Sequence, residues 1–282
     1  MKRAFLLAHP ARHSISPVMH SAAFKELGID AHYQALDVPP AHLAGVVENL
    51  RMESVYGANV TIPHKVAVMP LLDALTNEAQ TVGAVNTIIN QDGKLIGHNT
   101  DATGFFRALT EDALCNPAEQ RALVLGAGGA ARAVVYALLL AGVERLDIYN
   151  RTQARAEAIA KRFATLGTVN VLDKAGLESS IFGCDVLVNT TSVGMEKEGV
   201  DADACPLPPG WLPQQGLVCD IVYRPAETAL LRHAKHAGLK AQNGLAMLVY
   251  QGAEAFQHWT GADAPIELMF AAAKAELTRT ST

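Results

Sequence analysis

Ala122-Leu123-Val124-Leu125-Gly126-Ala127-Gly128-Gly129-Ala130-Ala131-Arg132 is the stretch on which the fold turns. Its first four residues make a buried-strand pattern, glycines crowd the turn behind them, and an alanine-rich run through Ala141 continues as a helix. The spacing matches G-x-G-x-x-G/A at Gly126, Gly128 and Ala131. A lone match of this kind is weak, but a strand before it and a helix after it are the context the motif requires. Glycines here let the backbone approach a pyrophosphate, whose charge rests against free N–H groups and the positive end of the helix. Gly126, Ala127, Gly128, Gly129 and Ala130 are therefore the candidate cofactor-binding loop of a Rossmann-type domain with a parallel sheet.

The next strand, Leu146-Asp147-Ile148-Tyr149, decides which nicotinamide cofactor fits. An NAD site ends this strand in an acid for the ribose hydroxyls, whereas an NADP site carries neutral and basic residues. Here the strand ends in Asn150-Arg151-Thr152, with Arg155 shortly after, which favours NADP. Two guanidiniums on a phosphate, each contact contributing about 1.5 to 3 kcal/mol, would favour NADP over NAD by roughly two powers of ten or more. Further on, Val186-Leu187-Val188-Asn189-Thr190-Thr191 reads as a strand ending in polar residues.

Upstream of Arg121 the polar stretch from Asp112 to Gln120 reads as an interdomain joint. Before it lies another alternation: Ala4 to Ala8 as strand, Pro17 to Leu27 as helix, Tyr33 to Val38 as strand. Leu43, Val46, Val47 and Leu50 then follow helical spacing. Such alternation predicts mostly parallel sheets covered by helices. At 282 residues the chain exceeds a single core, so two α/β domains are expected. Helices are also expected around Ala246 to Trp259 and Pro265 to Leu277.

A net charge of -5 gives no general footprint for nucleic acid or an acidic membrane, which points to small-molecule partners. The apolar run after Met1-Lys2-Arg3 is cut short by His9-Pro10, and no apolar stretch approaches the roughly 20 residues that span a bilayer. A cytoplasmic location is expected. Cys115, Cys184, Cys205 and Cys219 form no CxxC pair and suit reduced thiols. No metal site is expected: His9, His13 and His20 near the start, and His233 with His236 on an amphipathic helix, lack the second half of a zinc motif.

Asn59-Val60-Thr61-Ile62-Pro63-His64-Lys65 presents one amine after an extended run and a rigid X-Pro step. His13-Ser14-Ile15-Ser16-Pro17 precedes it, and Gly83-Ala84-Val85-Asn86-Thr87 and Gly97-His98-Asn99-Thr100-Asp101 follow. Together these blocks resemble the shikimate dehydrogenase family: HSxSP, NVTxPHK, GAVNT and GxNTD in order. The resemblance continues through Asp220-Ile221-Val222-Tyr223, Asn243-Gly244 and Met247-Leu248-Val249-Tyr250-Gln251-Gly252, nearly the whole chain.

That resemblance implies reversible reduction of 3-dehydroshikimate to shikimate with NADPH, in chorismate and aromatic amino acid biosynthesis. It implies that Ser14 and Ser16 hold the substrate carboxylate, that Thr61, Asn86 and Gln251 bond the ring hydroxyls, and that Lys65 and Asp101 face the reacting oxygen as one coupled acid–base pair. Tyr223 joins the substrate contacts, and Thr190, Val222 and Gly244 border the cofactor. Because Gln251 follows the nucleotide half, the substrate-binding domain is expected to be discontinuous, over 1–111 and 244–282, around an NADP-binding domain over 112–243. A monomer or homodimer is expected.

Ser16-Pro17 also reads as a helix N-cap followed by a first-turn proline. Ala8-His9, Ser21 and Ala102 depart from the family's pattern, and alanine for glycine at Ala8 and Ala102 puts the local loop geometry in question. His9, near the serine pair, could alter the substrate mouth. Three alternatives stand beside the main reading: an NAD-using quinate/shikimate dehydrogenase, a non-catalytic metabolite sensor of the same fold, and a lysine-dependent folate dehydrogenase. Thr61, Arg151 and Arg155 lean against the first, Lys65 with Asp101 against the second, and the serine pair with the GAVNT block against the third.

Overall fold

The computed structural model describes residues 1–12, 14–196 and 201–280, so His13 lies outside the described residues. The chain divides into two compact units, Met1–Gly104 with Leu248–Thr282, and Phe105–Met247. The polar stretch 112–120 lies inside the second.

The first unit opens with β1 (Lys2–Ala8), α1 (Ser16–Glu26), β2 (Ala31–Asp37), α2 (Leu43–Asn49) and β3 (Val55–Val60). β4 (Ala74–Leu75), α3 (Asn77–Val82), β5 (Thr87–Gln91), β6 (Lys94–His98) and the start of α4 (Asp101–Arg107) follow. Its sheet runs β2-β1-β3-β5-β6-β4. β2, β1 and β3 are parallel, as the alternation predicts, but β5 is antiparallel to both of its neighbours, so the sheet is mixed. The β5–β6 pair is a two-residue hairpin: Gln91 pairs with Lys94 around Asp92 and Gly93, whose φ values of 51° and 86° match a turn that favours Asp-Gly. The core on one side of this sheet gathers Leu7, Val47, Leu50, Val60, Ile88 and Leu95, all at most 2 % exposed.

The N-terminus of α1 corrects the expected cap. Ser16 is already helical, and the Ser14 hydroxyl accepts from its backbone N–H at 3.2 Å. Ala8 sits in β1 and Ala102 inside α4, conformations open to any L-residue, so neither demands glycine.

The second unit comprises β7 (Arg121–Leu125), α5 (Gly129–Leu140), β8 (Arg145–Tyr149), α6 (Gln153–Phe163), β9 (Val169–Leu172), α7 (Lys174–Ile181), β10 (Val186–Asn189), β11 (Leu217–Asp220), α8 (Ala229–His236) and β12 (Lys240–Gln242). Its strands are all parallel in the order β12-β11-β10-β7-β8-β9, the doubly wound Rossmann arrangement. The strand order reverses between β7 and β10, and ligands of such sheets bind at the carboxyl ends of the strands there. These strands are short and apolar: Leu123, Val124, Val186, Leu187 and Val188 are fully buried, as strands covered on both faces require. The chain then enters α9 (Leu245–Thr260), and α10 (Ile266–Thr280) ends the described residues. The four cysteines are free thiols, Cys184 and Cys219 buried and Cys115 and Cys205 half-buried. Among the described residues, no helix is long and apolar enough to cross a membrane.

Candidate active site

In the first unit β3 ends in Val60, and the chain turns at once through Thr61 to Lys65. Three backbone bonds pin this turn: Thr61 N donates to Leu7 O at 3.0 Å, His64 N to Thr61 O at 2.8 Å, and Val85 N to Lys65 O at 2.8 Å. The buried His64 ring anchors it from below, its Nε2 lying 2.7 Å from Val38 O. Lys65 therefore projects from a fixed backbone, with its side chain only 14 % exposed.

Its partner arises from the start of α4. Asn99 accepts from Asp101 N at 3.1 Å and Ala102 N at 3.4 Å, and its amide donates to Ala84 O at 2.9 Å. This side chain caps the helix and fixes the first-turn Asp101, whose carboxylate also benefits from the positive helix end. Lys65 Nζ stands 2.5 Å from Asp101 Oδ2. Asn86 holds the other oxygen, its Nδ2 lying 3.0 Å from Asp101 Oδ1, 2.9 Å from Thr100 Oγ1 and 3.1 Å from Gln251 Oε1. Asn86 Oδ1 accepts from Thr100 N at 2.7 Å, which fixes the amide's orientation. Gln251 arrives from α9, and its Nε2 donates back to Leu248 O at 2.8 Å. α9 can approach α4 here because Gly104 has no side chain: a Cβ there would fall 2.7 Å from Gln251 Cβ.

Lys65, Asp101, Asn86 and Gln251 thus meet in one network. Thr61 directly follows β3, whose parallel neighbour β1 leads through a loop carrying Ser14 to the buried Ser16, the first residue of α1. His9, one residue beyond β1, places Nδ1 2.7 Å from Asp37 Oδ1 at the end of β2. Tyr223 belongs to the second unit, behind β11. A half-buried lysine amine beside a buried carboxyl group, ringed by amides and hydroxyls, can bind a polyhydroxylated molecule and pass a proton to an oxygen on it.

In the second unit, Gly126 has φ 104°, and a Cβ there would lie 2.6 Å from Thr190 Oγ1. Both the left-handed backbone and the close approach of Thr190, whose hydroxyl donates to Leu125 O at 2.7 Å, require glycine. Gly128 caps α5 with no side-chain hydrogen bond, and a Cβ there would meet nothing within 4 Å. Open space before the free N–H groups of a 12-residue helix fits a pyrophosphate. Asn150 Nδ2 closes the turn after β8 by donating to Thr152 O at 2.8 Å, and Arg151 and Arg155 are exposed beside it. This basic, acid-free strand end fits a ribose phosphate.

At the strand ends across the reversal, Asp220 accepts from Asn189 Nδ2 at 3.0 Å, Val222 N at 3.0 Å and Thr228 Oγ1 at 2.8 Å. Burial pushes its carboxyl up to about 6, against these donors. Gly244 N donates to Val222 O at 3.1 Å, so Asp220 and Gly244 together hold the Val222 segment. The positioning roles of His64, Asn99, Asn189 and Asp220 escaped the sequence reading. For Asn99 a signal existed, an Asn-Thr-Asp step opening a helix; the His64–Val38 and Asn189–Asp220 contacts join residues distant in the chain.

Three family models match the chain: the shikimate dehydrogenase substrate binding domain over residues 6–88, shikimate / quinate 5-dehydrogenase over 108–197, and the shikimate 5'-dehydrogenase C-terminal domain over 244–274. A shikimate dehydrogenase (NADP(+)) of Moorella thermoacetica is 47% identical over 268 residues, covering 94% of this chain and 90% of that protein. The crystal structure of the Thermus thermophilus shikimate 5-dehydrogenase in complex with NADP(H) and shikimate is 43% identical with a TM-score of 0.88, covering 98% of this chain and 99% of that one. A quinate dehydrogenase of Corynebacterium glutamicum in complex with NAD shares the fold at a TM-score of 0.88 with 30% identity, over 97% of this chain and 99% of that one.

Proposed function

The chain belongs to the shikimate dehydrogenase family, and from that premise we propose that it is an NADP-dependent shikimate dehydrogenase that reversibly reduces 3-dehydroshikimate to shikimate. Residues 1–111 with 244–282 bind the substrate and residues 112–243 bind NADP. The reaction belongs to chorismate and aromatic amino acid biosynthesis. The enzyme works in the cytoplasm as a monomer or homodimer, without nucleic acid or membrane, and its proton transfer draws on Lys65 and Asp101 and not on a metal.

NADPH, when bound, supplies the hydride that reduces the ring carbonyl. Ser14 and Ser16 bind the substrate carboxylate with their hydroxyls. Thr61, Asn86, Tyr223 and Gln251 bond the ring oxygens, so an analogue lacking one hydroxyl leaves a buried group unpaired. Lys65 holds a proton at the oxygen on which negative charge develops and delivers it as the alkoxide forms. Asp101 orients the ammonium and shares the proton with it, and the pair takes the proton back in the oxidation direction. The loop from Gly126 to Ala130 receives the pyrophosphate on its backbone N–H groups. Asn150, Arg151, Thr152 and Arg155 take the adenosine ribose and its phosphate, and Thr190, Val222 and Gly244 border the nicotinamide side.

The observation that supports this reading most is the Lys65–Asp101 pair, its carboxyl group buried and tied through Asn86 to Gln251. Initial rates with shikimate and with quinate, each against NADP and NAD, test it. Shikimate with NADP should give the highest kcat/KM; preference for quinate with NAD, or no turnover at all, would overturn it.

A further inference from the structure

Three side chains that the reaction does not use converge in the first unit. His98 is the last residue of β6, while Glu254 and His258 lie one helical turn apart on the same face of α9. One ligand atom from each lies within 4.8 Å of the others, and His258 Nε2 is 3.7 Å from Glu254 Oε1. The two imidazoles face each other with ring centroids 4.4 Å apart at 42°.

Two polar atoms at this point are buried without a hydrogen-bond partner, His98 Nδ1 and Glu254 Oε2. Such atoms are uncommon because each carries its desolvation cost uncompensated. They are an imidazole nitrogen, which offers a lone pair in the Nε2–H tautomer, and a carboxylate oxygen, so one cation would satisfy both. Glu78 on α3 interacts electrostatically with both Glu254 and His258.

We propose that His98, Glu254 and His258 form a binding site for one divalent transition-metal ion of the zinc class. Two imidazoles and one carboxylate are a recurrent zinc ligand set, and imidazole selects such ions over magnesium and calcium. With metal–ligand bonds of about 2.0–2.2 Å, tetrahedral ligands sit roughly 3.4 Å apart. The Glu254–His258 spacing of 3.7 Å needs only a few tenths of an ångström of closure, and the His98 ligand atom lies within 4.8 Å of both partners'. The fourth position is left to water.

The site has a structural consequence. His98 lies three residues before Asp101, and Glu254 three residues after Gln251. A bound ion ties the end of β6, three residues before Asp101 at the start of α4, to α9, which carries Gln251.

The test is metal binding itself, on the full chain after chelator treatment and desalting. Titration with Zn²⁺ alone in a calorimeter, and with Co²⁺ while following its visible absorption, should show one equivalent bound. His258→Leu should weaken binding by about ten-fold or more without changing the metal-free melting temperature, since this side chain is 34% exposed. Glu254→Gln serves as the second variant. His233→Leu, which alters an exposed histidine on α8, should bind as the wild type does. Absence of stoichiometric binding to the wild type, or equal binding by wild type, His258→Leu and Glu254→Gln, would overturn the proposal.

Discussion

Lys65 Nζ and Asp101 Oδ2 stand 2.5 Å apart, with side chains 14% and 6% exposed. They come from separate elements, the turn after β3 and the first turn of α4, and each is braced by its own side-chain anchor, His64 and Asn99. A pair so enclosed is held before any substrate arrives, which is the arrangement that transition-state stabilisation requires.

Lys65→Ala should therefore act mainly on turnover. The charge that Lys65 stabilises develops during hydride transfer, so kcat should fall by roughly two to four powers of ten, the range for a positioned general acid. The Michaelis constant for shikimate should change less. A large loss of affinity with turnover nearly intact would instead make Lys65 a substrate anchor.

Arg151 and Arg155 lie exposed behind the β8 strand end, where Asn150 replaces the acid of an NAD site. Replacing both by alanine should raise the Michaelis constant for NADP by about 100-fold or more, the loss of two charge-assisted contacts. The constant for NAD should barely move. Equal effects on both cofactors would separate these arginines from the 2′-phosphate.

The Asn99 side-chain carbonyl oxygen accepts from Asp101 N and Ala102 N and so positions the partner of Lys65. Asn99→Ala should lower stability by about 1–2 kcal/mol through the lost cap. Asn99→Asp, which keeps an acceptor at the same place but replaces the donor to Ala84 O, should recover part of that loss in denaturant titrations. Equal destabilisation by both substitutions would assign the effect to the Ala84 bond alone.

The alternation of strands and helices was legible because periods of 2.0 and 3.6 residues are local properties. Leu123 to Leu125 and Val186 to Val188 read as buried strands, and the structure buries them. The β5–β6 hairpin was missed although Asp92-Gly93 announces it, because the polar Asn90 and Gln91 break the apolar pattern. The polarity of Asn90 has a tertiary cause: its Nδ2 lies 2.8–3.0 Å from the carbonyls of Leu50, Met52 and Val55. At the site, Lys65, Asp101, Asn86 and Gln251 were named from motifs, and the geometry brings them together. The convergence of His98 with Glu254 and His258 was not legible, because the contact joins a strand end to a helix from the other end of the chain.

His20, one of the histidines first weighed as a metal ligand, has another physical role. It is fully buried, stacked on Tyr33 with centroids 4.4 Å apart and flanked by Phe256 and Trp259. Burial pushes its imidazole from 6.5 down to about 3, the Asn59 side chain offsetting only part of this. The folded chain therefore refuses a proton that the unfolded chain takes up below about pH 6.5. Stability is intact above that pH and falls as pH drops towards 3, by up to about 5 kcal/mol from this group alone. His20→Leu, which cannot titrate, should flatten the decline in unfolding free energy between about pH 6.5 and 4.5, whatever its effect on stability near pH 7. Denaturant titrations of both proteins across that window measure the slopes, and parallel slopes would show that another group governs acid unfolding.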